Sequence, residues 1–301
     1  MQRADRSEAV AVVTGASSGI GRATGTALGA RGFRVLAGVR KQADAARVAQ
    51  APGIEPVTLD ITDAEDVAGL AQRVRDLAGN GGRLKALVNN AGIAVNAPVE
   101  AIPMAEWRRQ FEVNFFGHVA VTQALLPALL DCGGRVVNVS SIGGRVAGPT
   151  FGAYAASKFA LEAMSDSLRR EVRRLGVDVV VVEPGSIATP IWGKGRGTFE
   201  ELAAGMDPAQ LERYGDLVAA MLEQAEAVAS NGISPDAVAG VIVRAVETSR
   251  PRPRYLVGRD AKLAAHAARL LGDRFVDGLI ARGLRLGDRR GPDGQRDGSG
   301  G

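Results

Sequence analysis

Cysteine, histidine and aromatic residues are scarce in this chain of 301 residues. Cys132 is the only cysteine, which excludes an intramolecular disulfide and with it a secreted scaffold held together by disulfides. His118 and His266 are the only histidines, so the residues for a zinc cluster are lacking and we expect no metal site. No uninterrupted apolar run approaches the roughly 18 residues of a spanning helix, and we expect no integral membrane segment.

The first eight residues and the overall composition narrow the class further. Residues 1–8 read MQRADRSE and contain no apolar core of the kind that a signal peptide needs. The chain is 46% hydrophobic and 23% charged, which is typical of a globular protein and excludes fibrous and disordered classes. We therefore expect a short amino-terminal tail over residues 1–8 and a cytoplasmic location.

Positive charge is concentrated at the carboxyl-terminal end. Residues 1–249 hold 25 basic and 27 acidic side chains, whereas residues 250–301 hold 12 and 6. This end could contact an anionic membrane or nucleic acid. It could equally be the solvated end of a chain in which 32 of the 37 basic residues are arginine. No nucleic-acid-binding module is recognisable, so we expect no nucleic-acid partner.

Short apolar runs alternate with longer segments of helical period along most of the sequence. Strands alternating with helices form parallel sheets through right-handed crossovers. The sequence therefore predicts an α/β fold with one doubly wound, seven-stranded parallel sheet and helices on both faces. The predicted strands are Ala9–Thr14, Phe33–Val39, Glu55–Leu59, Ala86–Asn90, Arg135–Ser140, Val177–Glu183 and Arg254–Val257, and the predicted helices lie near residues 19–31, 43–50, 63–79, 104–130, 152–175 and 235–249.

Two segments interrupt this alternation. Residues 191–232 form a long insertion after the sixth strand, helical near 199–204 and 208–229, and such insertions commonly cover a site. Residues 259–286 carry an apolar stripe interrupted by arginines, which could pack on the body, line a substrate pocket or lie on a membrane. We expect one domain over 9–258 with a lid at 191–232, an amphipathic helical extension at 259–286 and a disordered tail at 287–301.

The first predicted strand leads directly into a glycine-rich turn. The segment TGASSGIG runs from Thr14 to Gly21 and opens the first helix, and in this context a glycine pattern predicts a dinucleotide site. Gly15 fits the tight turn, Gly19 lets the backbone approach a pyrophosphate, and Gly21 allows close packing of the helix. The unpaired N–H groups and the dipole of the helix amino terminus favour phosphate. A structural turn without ligand is the alternative.

The end of the second strand indicates which dinucleotide is bound. An acidic residue at this point accepts hydrogen bonds from the ribose hydroxyls of NAD, but here the residue is Arg40. A guanidinium pairs with the 2′-phosphate of NADP, and Ser17 and Ser18 add neutral donors nearby. We therefore expect NADP(H) in preference to NAD(H). The alternative is that Arg40 is a solvated loop residue.

A tyrosine and a lysine four residues apart follow the fifth strand. Tyr154 and Lys158 share one face of a predicted helix, and Ser141 stands at the end of the strand before it. A free phenol titrates near ~10, and a neighbouring ammonium lowers that pKa. Such a pair can pass a proton to or from an alcohol oxygen that the Ser141 hydroxyl holds in place.

Taken in order, these motifs resemble the classical short-chain dehydrogenase/reductase family. The resemblance covers about residues 9–258 and implies a Rossmann-type fold. It rests on Thr14-Gly-x3-Gly-x-Gly21, Asn89-Asn-Ala-Gly92, Asn114, Ser141, Tyr154-x3-Lys158, and Pro184-Gly185 with Thr189.

The resemblance implies a role for each matched position. Tyr154 would be the general acid/base, Lys158 would lower its pKa and bind the nicotinamide ribose, and Ser141 would orient the substrate carbonyl. Asn114 would hold a local helix distortion and a water that links Lys158 to solvent; a solvent-facing side chain is the alternative. Asp60 would contact the adenine, and Ile187 and Thr189 the nicotinamide amide. Cofactor contacts are also implied for Ile20, Ile61, Asn90, Ala91, Gly92, Pro184 and Gly185.

Within that family, three segments are similar to the hydroxysteroid and retinol dehydrogenase branch. They are VNFFGH (113–118), YAASKFALE (154–162) and PRYLVGRDAKL (253–263). Members of this branch act on lipophilic alcohols and ketones. Together with the cofactor expected from Arg40, this predicts an NADP(H)-dependent oxidoreductase that interconverts a lipophilic alcohol and its ketone or aldehyde. Reduction of a 3-oxoacyl thioester and a non-catalytic dinucleotide sensor are the alternatives. The family also implies a homodimer or homotetramer, and a peripheral membrane contact of residues 259–286 stays open.

Overall fold

A computed structural model describes residues 9–188 and 190–284, with the side chains of 190–196 and 227–231 left out. Within these residues, seven parallel strands form one sheet in the order β3-β2-β1-β4-β5-β6-β7. This arrangement confirms the predicted doubly wound, Rossmann-type α/β fold. The strands are β1 (Ala9–Val13), β2 (Arg34–Val39), β3 (Ile54–Thr58), β4 (Arg83–Asn89), β5 (Arg135–Val139), β6 (Asp178–Pro184) and β7 (Arg254–Val257).

Helices cover both faces of the sheet. Helices α1, α2 and α9 enclose one apolar cluster, and α3, α5 and α6 enclose the other. The described helices are α1 (Gly19–Gly29), α2 (Gln42–Val48), α3 (Ala64–Gly79), α4 (Met104–Phe111), α5 (Gly117–Cys132), α6 (Gly152–Val172), α7 (Pro190–Ala204), α8 (Pro208–Asn231), α9 (Pro235–Glu247), α10 (Arg259–Leu270) and α11 (Asp273–Gly283).

Local sequence explains where these elements begin and what they bury. Asp63 caps α3 by accepting hydrogen bonds from the backbone N–H groups of Glu65 (2.8 Å) and Asp66 (3.1 Å). Ser234 caps α9 ahead of Pro235, which suits the first position of a helix. Strand β6 is apolar from Val179 to Val182 because it lies inside the sheet with helices on both faces.

The predicted helix near 104–130 is broken into three parts. A π-helical turn, Glu112–Phe116, separates α4 from α5. The whole stretch, Met104–Cys132, is long and apolar enough by length and composition to cross a membrane. In this fold Val121, Leu125 and Leu129 are buried against the sheet, as expected of a core helix.

The insertion and the carboxyl-terminal extension are both helical. Helices α7 and α8 occupy the insertion after β6, and α10 and α11 follow β7. The predicted tails at 1–8 and 287–301 lie outside the described residues, and the domain boundaries stay predictions. Cys132 is half-buried, and its thiol donates a hydrogen bond to the carbonyl of Leu84 (2.9 Å).

Candidate active site

The glycine-rich turn between β1 and α1 adopts a backbone conformation that its glycines allow. Gly15 has φ +64° and Gly19 has φ +53°, both in the left-handed region that favours glycine. A Cβ on Gly15 would lie 2.7 Å from the Cα of Ala91, so a side chain has no room there. The turn therefore packs closely against the segment after β4 and exposes backbone at the amino terminus of α1, which suits phosphate.

Two polar side chains fix this turn to the neighbouring strand end. Thr14 Oγ1 accepts hydrogen bonds from the backbone N–H groups of Asn90 (2.9 Å) and Ala91 (3.0 Å). The Asn90 side-chain amide donates to the carbonyls of Thr14 (2.9 Å) and Gly15 (3.2 Å). These bonds tie β1 to β4 where the strand order reverses, which is where open α/β sheets bind ligands. Thr14 entered the sequence prediction only as the start of the motif.

Arg40 and Asp60 form the far rim of the site, beyond β2 and β3. Arg40 Nη1 lies 3.7 Å from Asp60 Oδ2, and the arginine side chain is largely exposed. Asp60 Oδ1 accepts hydrogen bonds from the backbone N–H (3.0 Å) and the hydroxyl (2.7 Å) of Thr62. Burial alone would raise the pKa of Asp60, but the Thr62 hydrogen bonds and the Arg40 charge outweigh it and lower that pKa. A charged carboxylate thus orients a guanidinium that stays accessible.

A continuous cleft follows the carboxyl ends of the strands from Arg40 to Ile187. Glycine backbone, an open helix amino terminus and an accessible arginine at one end fit NADP(H). Gly21 lies behind the turn, where a Cβ would collide with the Gly15 carbonyl, and Thr189 lies outside the described residues. The predicted residues that line the cleft are Gly15, Ser17, Ser18, Gly19, Ile20, Arg40, Asp60, Ile61, Asn90, Ala91, Gly92, Ser141, Tyr154, Lys158, Pro184, Gly185 and Ile187.

Ser141, Tyr154 and Lys158 meet toward the other end of the cleft. Lys158 Nζ lies 6.0 Å from the centroid of the Tyr154 ring and donates a hydrogen bond to the Val139 carbonyl (2.9 Å). The side chains of Tyr154 and Ser141 both line the cleft at this point. Ser141 Oγ accepts a hydrogen bond from the backbone N–H of Gly143 (3.0 Å). A phenol, a hydroxyl and an amine that can move a proton therefore occupy one small space.

Burial governs the protonation of these groups. It raises the pKa of Tyr154, and the hydrogen bond with Ser141 opposes that shift only in part. It also lowers the pKa of Lys158 to about 8, although the charge of Glu162 acts in the other direction. The sequence led us to expect a lowered Tyr154 pKa. The direction is opposite here because burial disfavours the charged phenolate.

Asn114 lies in the π-helical turn, fully buried, and does not line the cleft. Its Oδ1 accepts a hydrogen bond from the backbone N–H of Ile93 (2.9 Å), and its Nδ2 donates to the Ile93 carbonyl (2.9 Å) and to Ser157 Oγ (3.2 Å). This excludes the solvent-facing alternative. Asn114 thus links the cleft wall at Ile93 to α6, the helix that carries Tyr154.

A buried group of charges behind the tyrosine and the lysine is absent from the sequence predictions. Arg254, at the start of β7, bridges Glu162 on α6 (Nη2 to Oε2, 3.1 Å) and Glu183 on β6 (Nε to Oε1, 3.2 Å). Arg145 pairs with the second oxygen of Glu183 (Nε to Oε2, 2.9 Å). We call these four residues the buried charge cluster. It joins the turn after Ser141 to one helix and two strands.

Two sequence signals could have revealed the buried charge cluster. Glu162 follows Lys158 by one helical turn, so the two side chains share a face. Glu183 is an acidic residue in a strand that is otherwise apolar from Val179 onward. Burial raises the pKa of Glu162, as does the charge of Glu183, while Ser140 and Arg254 act against that shift. The arginine partner lies 92 residues away along the chain, which hides the pairing.

A second cavity of about 370 Å³ opens beside Tyr154. The insertion supplies Phe199, Met221 and Ala225 to its walls, and the carboxyl-terminal extension supplies residues from both α10 and α11. Of the three alternatives for residues 259–286, lining a pocket is thus observed. The apolar walls are completed by Ile142, Val146, Phe151, Ala264, Ile280 and Leu284, and the polar ones are Asn96, Ser141, Thr150, Ser186 and Gln224.

A polar contact on the surface joins α8 to the body of the protein. Glu100 accepts hydrogen bonds from the hydroxyl of Tyr214 (2.8 Å) and from Nε of Arg213 (3.2 Å). Phe199, Met206 and other apolar residues of α7 and α8 form a small separate core. Exposed ion pairs contribute little stability, so apolar packing holds the lid.

Comparison with known proteins identifies what this chain resembles. The family described as short chain dehydrogenase matches residues 9–198. An NADPH-dependent 3-dehydrocapnine reductase from Ornithobacterium rhinotracheale is 36% identical over 91% of this chain and 97% of that protein. Retinol dehydrogenase 16 from Homo sapiens is 40% identical over 89% of this chain and 86% of its own length.

Solved structures agree with these similarities. A short-chain dehydrogenase from Burkholderia cenocepacia J2315 in complex with NADP has a TM-score of 0.67 and 32% sequence identity, with 91% of this chain and 96% of that chain covered. A short-chain dehydrogenase from Streptomyces avermitilis has a TM-score of 0.72 and 32% identity over 91% of this chain and 94% of that one. The NADPH-dependent reductase and the NADP complex agree with the cofactor expected from Arg40.

Proposed function

Because the chain belongs to the short-chain dehydrogenase family, we propose that it interconverts a lipophilic alcohol and its ketone or aldehyde. The protein is an oxidoreductase, and its cofactor is NADP(H). One observation carries the proposal: Ser141, Tyr154 and Gly185 line both the cofactor cleft and the apolar cavity. Groups that move protons thus stand where cofactor and substrate would meet.

The chemistry divides between the cofactor and the protein. NADP(H), when bound, supplies or accepts a hydride at its nicotinamide ring. In reduction, Tyr154 donates its phenolic proton to the carbonyl oxygen while Ser141 holds that oxygen through a hydrogen bond. In oxidation, Tyr154 takes the proton from the alcohol. The raised pKa of Tyr154 supports the acid role because the phenol keeps its proton at neutral pH.

Lys158 and Asn114 support this transfer. After donation, an ammonium on Lys158 stabilises the phenolate, and a buried lysine with a pKa of about 8 can return a proton to it. Lys158 also binds the nicotinamide ribose in this proposal. Asn114 holds Ile93 and α6 in register, and through a water it connects Lys158 to solvent. Reduction is the favoured direction, since cytoplasmic NADP pools are usually kept reduced.

The apolar walls support a lipophilic substrate. Binding apolar groups against Phe199 and Met221 removes their surface from water, which contributes about 25 cal/mol for each Å² buried. The relatives named for retinol and 3-dehydrocapnine are in accord with this substrate class. The specificity constant should therefore rise along a series of ketones of increasing chain length.

The test begins with a fluorescence titration of the purified protein with NADPH and NADH. Oxidation of NADPH is then followed with the ketone series, retinal, steroid ketones, aromatic aldehydes and a 3-oxoacyl thioester. A rise of kcat/KM with chain length supports the proposal. Faster turnover of the thioester favours the alternative reductase, and tight NADPH binding without turnover of any compound contradicts the proposal.

Two variants on α8 show whether the apolar cavity is the substrate site. Ala225→Trp fills the cavity and should lower kcat/KM most for the longest ketones, with NADPH affinity unchanged. Leu211→Trp places the same side chain at an exposed position of that helix and should leave kcat/KM unchanged. Equal effects of the two changes would place the substrate elsewhere.

A homodimer or homotetramer and a cytoplasmic location complete the proposal. Phe116 and Phe159 are exposed on the two long helical segments, where an apolar contact between copies would cover them. The packing of Met104–Cys132 against the sheet supports a location away from the bilayer core. Sedimentation of the wild-type chain and of Phe159→Glu tests the assembly, which the variant should weaken.

A further inference from the structure

The two carboxyl-terminal helices expose large apolar side chains on their outer surface. Leu263 is 74% exposed and Leu270 76% exposed, and Phe275 and Leu279 follow on α11. We call these four side chains, together with the partly exposed Leu271, the carboxyl-terminal apolar patch. Single exposed leucines are ordinary, but five large apolar side chains within 17 residues mark a surface that contacts another apolar phase.

Positive charge surrounds this patch. Lys262 precedes Leu263, Arg269 precedes Leu270, and Arg274 precedes Phe275, and all three cationic side chains are exposed. Of the acidic residues in α10 and α11, Asp260 accepts a hydrogen bond from the backbone N–H of Ser186 (2.7 Å), while Asp273 and Asp277 are exposed. The two helices together hold five basic and three acidic side chains, a net charge of +2. Residues 250–301 as a whole carry 12 basic and 6 acidic side chains.

The opposite side of the same helices lines the substrate cavity. Ala264 on α10 and Ile280 on α11 face that cavity, each next in sequence to an exposed leucine, Leu263 and Leu279. One pair of helices therefore separates the cavity from the surface patch. A molecule in contact with the patch lies within one helix diameter of the cavity.

We propose that α10 and α11 dock this protein on an anionic lipid bilayer. The leucines and Phe275 enter the boundary of the acyl chains, and Lys262, Arg269 and Arg274 pair with lipid phosphates. A cationic rim around an apolar patch complements such a surface. A second copy of the chain is a poorer occupant, because a two-fold contact would bring like charges together around the patch. This docking does not depend on the proposed activity. It would place the helices that line the substrate cavity against the bilayer.

Vesicle flotation tests the docking without substrate or cofactor. The full chain is mixed at low salt with vesicles of phosphatidylcholine alone, or of phosphatidylcholine with phosphatidylglycerol. We expect flotation with the anionic vesicles and much less with the neutral ones. Leu270→Glu with Phe275→Glu should weaken binding about tenfold for each side chain. Arg269→Gln with Arg274→Gln should abolish the preference for anionic vesicles.

A matched control uses two equally exposed apolar residues elsewhere. Leu175→Glu with Val99→Glu changes charge by the same amount outside α10 and α11 and should retain flotation. Equal loss in the control overturns the proposal, as does the absence of flotation with either vesicle. A concentration-dependent dimer that only the Leu270 and Phe275 changes dissociate, without vesicle binding, would assign the patch to a second copy. NADPH oxidation measured in solution reports separately on the proposed function.

Discussion

The cofactor cleft and the substrate cavity share Tyr154 but are built by different physical means. The cleft is formed by the ends of parallel strands, and its shape is fixed by hydrogen bonds such as those of Asn90 and Asn114. The cavity is walled by helices from an insertion and an extension, which apolar side chains hold together. A dinucleotide demands a particular backbone path, whereas a lipophilic substrate demands mainly apolar volume.

This difference predicts whether the cofactor cleft or the substrate cavity better tolerates amino-acid substitutions. A hydrogen-bonded backbone has few alternatives, since each buried donor or acceptor must keep a partner. An apolar wall accepts many side chains of similar volume. The cleft should therefore respond sharply to single substitutions, and the cavity should change its preference gradually. Four experiments can break or sharpen this contrast.

The largest effect should come from Tyr154→Phe. This change removes the transferable proton at the point where the cofactor cleft and the substrate cavity meet, and turnover should fall by about 10²–10⁴. NADPH affinity, measured by fluorescence titration, should stay within a few-fold because the ring keeps its place in the cleft wall. A variant that retains a tenth of the activity would contradict the assignment of Tyr154.

Arg254→Met should show that the buried charge cluster stabilises the fold around both the cofactor cleft and the substrate cavity. Removing the arginine leaves Glu162 without its cationic partner and leaves Glu183 with Arg145 alone, and breaking a buried pair costs about 3–5 kcal/mol. The midpoint of denaturation by urea should fall accordingly, and kcat should fall with it because α6, which carries Tyr154 and Lys158, loses its link to β6 and β7.

Two further variants define what the Arg254 result means. Arg254→Lys should recover part of both losses because it keeps the charge. Arg252→Met changes an exposed arginine of the same segment and should have little effect on either quantity. If the midpoint of Arg254→Met equals that of the wild type, the cluster does not support the fold.

Arg40→Asp should change cofactor binding in the cleft and leave substrate preference unchanged. A hydrogen bond to a charged group contributes about 1.5–3 kcal/mol, so NADPH should bind roughly 10- to 100-fold more weakly. Titrations with both dinucleotides should show the preference moving toward NADH, while the order of ketones by kcat/KM stays the same. An unchanged NADPH-to-NADH ratio would mean that Arg40 does not contact the 2′-phosphate.

The smallest effect should be on the stability of the protein at acid pH, and it depends on the buried side chain of His118. Burial and the charge of Lys158 lower the pKa of His118 to about 3 from an ordinary 6.5. Between these values the unfolded state binds more protons, so stability falls as pH falls, by up to about 1.4 kcal/mol for each unit. His118→Gln should flatten this slope in unfolding experiments from pH 6.5 downward. The exposed His266→Gln should leave it unchanged.

The sequence predicted the parallel sheet, its doubly wound topology and most of the residues that line the cleft, because the signals for these features are local. The turn at Gly15 and the spacing of Tyr154 and Lys158 each occupy a few consecutive residues. The buried charge cluster was missed because its partners are distant in sequence and meet only through the sheet. The cavity walls were anticipated only as a lid, since apolar helices carry no motif that states which face turns inward.

The helix distortion that the resemblance implied at Asn114 is confirmed as the π-helical turn Glu112–Phe116, although apolar periodicity alone predicted one continuous helix. Apolar periodicity does not reveal a single inserted residue, because the same helical pattern continues after the insertion with a shift of one position. Asn114, an amide in an apolar stretch, was the available clue to that irregularity.

The π-helical turn Glu112–Phe116 also sets how this segment tolerates changes in length. A π-helical turn holds one residue more than an α-helical turn, so deleting one residue within it would leave a regular helix with the register of α5 unchanged. Each residue advances an α-helix by about 100°, so deleting one residue between Gly117 and Val121 would instead rotate everything that follows by that angle. Val121, Leu125 and Leu129 would then leave the core together, although none of them had been altered. Helix α5 should therefore be intolerant of insertions and deletions, and loss of a single residue from this segment should be confined to the turn.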